Sequence, residues 1–205
     1  MDKQYWNQYY AERSSPTEPS SFARHTATRL SHGTTILELG CGNGRDAFFF
    51  ADQGHQVSAC DQSAVIIQAL NDGPKRGPQF FVDNIGDMQF RPEAAIAVVY
   101  TRFVLHALSN AEAGRAYAWI YAQLPAGGLF LSESRSVNDP LRGVGERLAE
   151  HLYMTDHKRR FLDRTELLHE LEQVGFVIDE AIEENGLAVY KDDDPTVIRL
   201  VARKP

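Results

Sequence analysis

Ile36-Leu37-Glu38-Leu39-Gly40-Cys41-Gly42-Asn43-Gly44-Arg45-Asp46 is the stretch that decides how this chain folds. The apolar run 34–39 reads as a buried strand, three alternating glycines follow it directly, and 46–53 reads as a helix. Glycine lets a backbone turn at positive φ and lets a ligand approach the main chain closely. A strand entering a helix through such a turn is the context in which a glycine loop binds a nucleotide-like group. The dinucleotide fingerprint G-x-G-x-x-G wants a glycine at 45, where this chain has Arg45, and its third glycine comes one place earlier. That departure weakens a dinucleotide reading.

Outward from this loop, short apolar runs alternate with helical patterns. Strands are expected at 56–60, 79–82, 95–100 and 129–132, and helices at 64–70, 110–124 and 165–174. The runs 176–182 and 196–202 look like a terminal antiparallel pair. Strands alternating with helices imply a largely parallel sheet covered on both faces. Right-handed crossovers then give a Rossmann-like, doubly wound α/β sheet, on which ligands bind beyond the carboxyl ends of the strands. Two segments stand outside the alternation: 1–33, with its aromatic cluster Tyr5, Trp6, Tyr9 and Tyr10, and 135–163, a long insertion expected to be functional or partly helical.

A chain of 205 residues fits one domain, and 43% hydrophobic with 24% charged residues is the mix of a soluble globular protein. No apolar run approaches the roughly 18–20 residues that span a membrane, and the N-terminus has no secretory pattern. A net charge of -7 argues against a duplex nucleic-acid surface. Cys41 and Cys60 alone make neither a disulfide framework nor a four-ligand zinc site, so a reducing, cytoplasmic setting without a structural metal is expected.

Two acids complete the loop. Asp61, at the end of the second strand and about twenty residues on, can accept both hydroxyls of a ribose, or sit as a helix cap or in a solvated turn. Asp83 follows the third strand, where it can receive the exocyclic amine of adenine while Ile85 packs on the ring. Loop, Asp61 and Asp83 describe an adenosine site that makes no demand for a pyrophosphate.

On these residues the chain resembles the class I S-adenosylmethionine-dependent methyltransferases, over about residues 34–203. The resemblance implies seven strands with the last antiparallel, S-adenosylmethionine as cofactor and S-adenosylhomocysteine as product. It implies cofactor contacts at Glu38, Gly40, Cys41, Gly42, Asn43, Gly44, Asp61, Gln62, Asp83, Asn84, Ile85 and Thr101. Arg24, just ahead of the first strand, is the candidate for the cofactor carboxylate. The Gly40–Asp46 motif, the aromatic N-terminus and Arg159-Arg160-Phe161 together resemble bacterial methyltransferases of small molecules and saccharides.

The segment Thr101-Arg102-Phe103-Val104-Leu105-His106, after the fourth strand, faces the acceptor in that family. His106 can act as a base, orient an acceptor oxygen, or cap the next helix. Arg102 can bind an anionic acceptor or form a structural ion pair; Tyr100 and Phe103 read as packing residues. Cys41 reads as a small residue that fits the loop, and Cys60 as core. The insertion is richer in cations than the chain as a whole, with Arg135 directly after the fifth strand and His157, Arg159 and Arg160 further on. Arginine forks match carboxylate and phosphate oxygens, so these residues suggest a lid that holds an anion, set against an ordinary solvated surface. Tyr5, Trp6 and Tyr9 form either a lid over the ligands or one face of a helix docked on the core.

The expected reaction is therefore methyl transfer, most simply O-methylation, to a small acceptor: a carboxylate, phosphate, phosphonate or saccharide hydroxyl. The catalytic candidates are His106, Arg102 and Arg135, in a monomer or homodimer. An NAD(P)-dependent oxidoreductase and a non-catalytic S-adenosylmethionine-binding module are the competing readings. A nucleic-acid amino-methyltransferase would carry Asn/Asp-Pro-Pro-Tyr/Phe after the fourth strand, where this chain reads Tyr100-Thr101-Arg102-Phe103.

Overall fold

The computed structural model describes residues 3–12, 16–73 and 77–205; residues 1, 2 and 13–15 of the N-terminal segment lie outside them. Two helices come first, α1 (Lys3–Glu12) and α2 (Ser21–Ala27). The alternating part follows: β1 (Thr35–Leu39), α3 (Arg45–Asp52), β2 (Gln56–Asp61), α4 (Ala64–Asp72), β3 (Gln79–Val82), β4 (Val98–Arg102), α5 (Asn110–Gln123) and β5 (Leu129–Arg135). Three short strands, β6 (Glu146–Ala149), β7 (Leu152–Met154) and β8 (Lys158–Arg160), precede α6 (Arg164–Val174), β9 (Val177–Glu184) and β10 (Val197–Arg203).

Seven strands form one sheet in the order β3-β2-β1-β4-β5-β10-β9. The first five are parallel, and β10 runs antiparallel to both β5 and β9. This is the expected Rossmann-like α/β fold with its last strand reversed. The chain winds outward from β1 to β2 and β3, then returns to place β4 on the other side of β1. The crevice this reversal opens lies beyond the carboxyl ends of β1 and β4.

Alternation along each strand builds two cores. On one face Leu37, Leu39, Val99, Phe130 and Leu200 pack with Tyr117, Ile120 and Leu171 of α5 and α6. On the other, Ile36, Val98, Tyr100 and Leu131 pack with Phe22, Ala47, Phe50 and Ile67 of α2, α3 and α4. Every one of these side chains is at most 3% exposed.

Two strands differ from their sequence reading, in the same way. β4 starts three residues later than the apolar run predicts and continues through Thr101 and Arg102; β5 continues to Arg135. These polar ends keep the ladder because Thr101 pairs with Ser132 and Arg102 with Glu133. Thr101 Oγ1 also donates to the Leu39 carbonyl at 3.0 Å. The insertion differs too: it forms the antiparallel sheet β6-β7-β8, not a loop or helix. Tyr153 pins this sheet by packing edge-on against buried Phe161, ring centroids 5.9 Å apart.

A buried polar joint binds the strand ends to the N-terminal segment. The fully buried Glu133 accepts from Arg102 Nε at 2.7 Å and from Arg199 Nε at 2.6 Å. Arg199 also donates to Ser21 Oγ and the Leu187 carbonyl, both at 2.8 Å. Beside it, Asp46 accepts the Ser20 amide and hydroxyl, each at 2.7 Å, and the Tyr100 hydroxyl at 2.8 Å. Among the described residues no helix is long and apolar enough to cross a membrane.

Removing the shared carboxylate strands one buried guanidinium, Arg199, and one half-buried, Arg102. Glu133→Ala is expected to lower the unfolding free energy by about 3 kcal/mol in urea titration. A loss below about 0.5 kcal/mol, the scale of a surface pair, would show that the joint does not hold the strand ends.

Candidate active site

A cavity of about 840 Å³ opens at the crevice, floored by the glycine loop and walled by α1, the 16–21 segment, the turn after β4, the β7–β8 turn and the β9–β10 loop. Gly40 and Gly42 take φ of 74° and 52°. A Cβ at Gly40 would lie 2.2 Å from Val104 Cγ2, and one at Gly42 2.6 Å from the Tyr10 hydroxyl. The loop is therefore glycine for two reasons, left-handed backbone and close approach.

Of the residues the resemblance pointed to, Glu38, Gly40, Cys41, Gly42, Asn43, Asp61, Gln62 and Ile85 line this cavity. Asp61 accepts the Gly42 amide at 3.1 Å and the Ser63 amide at 2.9 Å, so strand end and loop are locked together. It is not the helix cap, because the Ser63 hydroxyl caps α4. Burial raises the Asp61 pKa, and the main-chain hydrogen bonds partly offset that. Glu38 is 4% exposed, and its Oε2 has no hydrogen-bond partner. Burial and neighbouring Asp46 push its carboxyl well above the usual range. Asn43 donates to the Pro16 carbonyl at 2.8 Å and so pulls the 16–21 segment across the loop.

Five expected cofactor contacts are placed elsewhere. Asp83 is turned into its own loop, where its carboxylate accepts the amides of Asn84, Gln89 and Phe90 at 2.7–3.2 Å. Asn84 caps the short helix Ile85–Asp87 through the Gly86 amide. Thr101 is spent on the Leu39 carbonyl. Gly44 is the N-cap of α3, and a Cβ there would lie 3.0 Å from Phe80 and 3.1 Å from Leu70. Arg24 is on the outer surface, 58% exposed and 3.5 Å from Glu18, because the exposed side of α2 carries it. The neighbouring His25 faces Glu180, Nε2 3.4 Å from Oε1.

On the acceptor side the structure brings together His106, His157, Arg102, Arg135, Arg159, Tyr5, Trp6 and Tyr9. His106 is buried with Nδ1 unpartnered. Burial, then the His157, Arg159, Arg135 and Arg160 charges, lowers its pKa well below the ordinary value, so the ring is neutral at neutral pH. It is not a helix cap, since Ser109 and Glu112 form the capping box of α5. The His157 ring lies tilted against that of His106, ring centroids 6.0 Å apart, with Nδ1 2.9 Å from Asp156 Oδ1 and Nε2 unpartnered. From α1, the Tyr5 and Trp6 rings lie 4.9 and 5.2 Å from His157, and the Tyr5 hydroxyl donates to Asp156 Oδ2 at 2.8 Å. The two readings of the aromatic cluster merge, because α1 is both a docked helix and one wall of the cavity.

The arginines divide. Arg159 reaches Thr155 Oγ1 at 3.1 Å and Asp156 at 3.6 Å, leaving its Nε buried and unpartnered. Arg102 and Arg135 flank Phe103 at 4.2 and 5.6 Å from its ring, and Phe103 holds a left-handed φ of 54°. Arg102 is committed to Glu133, and Arg135 carries both Asp139 and Asp193. Arg160 does not reach this cavity: successive strand residues point to opposite faces. It donates instead to Asn110 Oδ1 at 2.5 Å, beside a separate cavity of about 130 Å³.

Sequence reasoning passed over Tyr10, Asp156, Tyr190 and Asp193 as site residues, although all four line the main cavity. Tyr10 stood in the aromatic cluster. The other three lie on turns whose folded position no local pattern announces.

Residues 36–128 match the family model described as a methyltransferase domain. A search of curated proteins finds no match in sequence. Among solved structures, an S-adenosylmethionine-dependent methyltransferase from Methanosarcina mazei superimposes with a TM-score of 0.76 at 16% identity, covering 88% of this chain and 96% of that one. The glycopeptide N-methyltransferase MtfA in complex with S-adenosylmethionine gives 0.69 at 21%, covering 94% and 89%. The cyclase SpnF gives 0.74 at 17%, covering 99% and 94%. These likenesses establish the fold, and residues 36–128 carry a methyltransferase domain.

Asp61→Asn is expected to weaken S-adenosylhomocysteine binding about tenfold or more in calorimetric titration, the loss of a charged hydrogen-bond acceptor. A second test uses pH. Burial raises the Asp61 pKa, so the folded protein takes up this proton at a higher pH than the unfolded chain does. For this group, lowering the pH through that range favours the folded state but removes the charged acceptor expected to meet the ribose hydroxyls. Cofactor affinity is therefore expected to fall on acidification in the wild type and to lose that component in Asp61→Asn; identical pH profiles would sink the assignment.

Proposed function

We propose that the enzyme methylates an oxygen of a small, anionic or polar acceptor, a carboxylate, phosphate, phosphonate or saccharide hydroxyl, in a cytoplasmic setting. The observation that supports this reading is the group of buried, unpartnered nitrogens on the acceptor wall: Arg159 Nε, His106 Nδ1 and His157 Nε2. Buried polar atoms are nearly always satisfied, and a polar acceptor would satisfy these.

The cofactor's residues fit the same cavity. Glu38 Oε2, buried and without a partner, suits the cofactor's ammonium; Asp61 suits the ribose hydroxyls, and Ile85 the adenine face. S-adenosylmethionine supplies an already activated methyl group. The protein then has to align the acceptor, exclude water and, for a hydroxyl, take a proton. Tyr5, Trp6 and Tyr9 cover the acceptor wall, and the Tyr5–Asp156 hydrogen bond closes α1 onto the β7–β8 turn. Neutral His106 is positioned to orient an acceptor oxygen, or to accept the proton of a hydroxyl. A carboxylate or phosphate acceptor needs no base. Arg159 would hold the acceptor's anionic or polar group.

The test is Arg159→Met, assayed with labelled S-adenosylmethionine against panels of carboxylates, phosphorylated sugars and phosphonates. S-adenosylhomocysteine affinity should stay within about twofold, while kcat/KM for the acceptor falls about tenfold or more, the scale of one charged hydrogen bond. Unchanged kcat/KM would remove Arg159 from acceptor binding.

A further inference from the structure

Arg135 presents a puzzle for an acceptor-binding arginine, since both ends of its guanidinium already hold carboxylates. The two are different in kind. Asp139, donor-paired to Arg135 Nη1 at 2.8 Å, has a fully buried side chain and also accepts the Leu141 amide at 2.8 Å. It belongs to the floor. Asp193, on Nη2, comes from the loop between β9 and β10, and its side chain is 45% exposed. Among the described residues Arg135 is the only partner of that carboxylate.

The loop has a fixed root and a free tip. At the root the Leu187 carbonyl accepts from Ser21 Oγ and Arg199 Nη2, and Asp194 accepts the Gly186 amide at 2.6 Å. At the tip Tyr190 and Asp193 close a tight turn through their main chains at 2.9 and 3.0 Å, with Lys191 in the left-handed region. Val189 and Tyr190 are 59% and 48% exposed. Apart from this turn, the Asp193–Arg135 pair is what fastens the tip to the cavity wall.

The charges around the acceptor half agree. Among the described ion pairs beside this wall, Arg102, Arg135, Arg159 and Arg199 are matched with Glu133, Asp139, Asp156 and Asp193, four against four. Glu133 and Asp139 are buried beneath the wall, and Asp156 is held by the Tyr5 and Thr155 hydroxyls. With Asp193 turned away, the wall is left with one uncompensated positive charge, the amount a singly charged acceptor neutralises. The pair is open to solvent only on its Asp193 side, 45% exposed against 10% for Arg135, and screening weakens it there.

We propose that Asp193 is a resident counter-ion on Arg135, occupying the place on Arg135 that the acceptor's anionic group takes when Arg159 also holds it, and that it sets specificity by admitting only acceptors whose anion displaces it. This rests on the anionic-acceptor reading above. Exchange of one carboxylate for another keeps Arg135 paired throughout, and an uncharged molecule of the same size gains no such exchange.

The experiment titrates acetate and methylphosphonate into the S-adenosylhomocysteine-loaded enzyme at low ionic strength, for wild type, Asp193→Asn and the double variant Asp193→Asn/Arg135→Gln. Asp193→Asn should bind at least one probe about fivefold tighter than wild type, the worth of one screened pair, and the double variant should lose the gain. Equal affinity in wild type and Asp193→Asn, or a gain that survives in the double variant, overturns the counter-ion while leaving an anionic acceptor standing. Absence of binding in all three proteins, each still binding S-adenosylhomocysteine, overturns the anionic-acceptor reading itself, and the counter-ion with it.

Discussion

β1 and β4 are buried on both faces, and that burial dictates where this protein can place a polar group. Ile36, Leu37, Leu39 and residues 98–100 commit both faces to the two cores, so chemistry has room at Glu38 and where the strands run out. Thr101, Arg102, Ser132, Glu133, Ser134 and Arg135 sit at those ends, and each departs from the apolar pattern at the edge where the crevice opens. They remain in the ladder because polar residues on neighbouring strands pair with one another. Strand-end polarity is thus both the cost of a doubly covered sheet and the source of its site.

Burying those ends demands compensation, which comes as shared carboxylates. Glu133 serves Arg102 and Arg199; Asp46 serves Ser20 and Tyr100. A lone buried charge would be costly, but one acid between two donors makes a joint connecting several elements. Through these joints the N-terminal segment, the glycine loop and β10 are held in one arrangement. The same joint sets the base of the β9–β10 loop, since Arg199 also holds the Leu187 carbonyl. Arg102 is consequently a structural cation first, its charge already engaged before any acceptor arrives.

Three additions to the sheet surround the acceptor wall: α1, the β6-β7-β8 sheet and the β9–β10 loop. They meet around His157, where Tyr5 and Trp6 of α1 contact a ring carried by the β7–β8 turn. A scaffold common to a methyltransferase from Methanosarcina mazei and the cyclase SpnF leaves selectivity to such additions. In this chain they supply aromatic surface, two neutral imidazoles and one incompletely paired guanidinium.

Local order was legible from the residues alone. The glycine loop with its flanking strand and helix, the position of Asp61 and the alternation of elements all rest on short-range rules: backbone freedom, strand period and helix period. Those rules reached Gly42 and Asp61 as cavity residues, and the family resemblance added Glu38. They could not show that Asp83 spends its carboxylate on its own loop, that Thr101 is tied to β1, or that Arg24 faces outward, because each depends on which donors folding brings near. Arg159 and Arg160 make the point most plainly. Adjacent and identical in the sequence, they are divided by the strand between two cavities. Whether an arginine can meet a ligand depends on the carboxylates packed around it: Asp139 and Asp156 lie within four residues of Arg135 and Arg159, but Asp193 reaches Arg135 from a segment that meets it only in the folded chain.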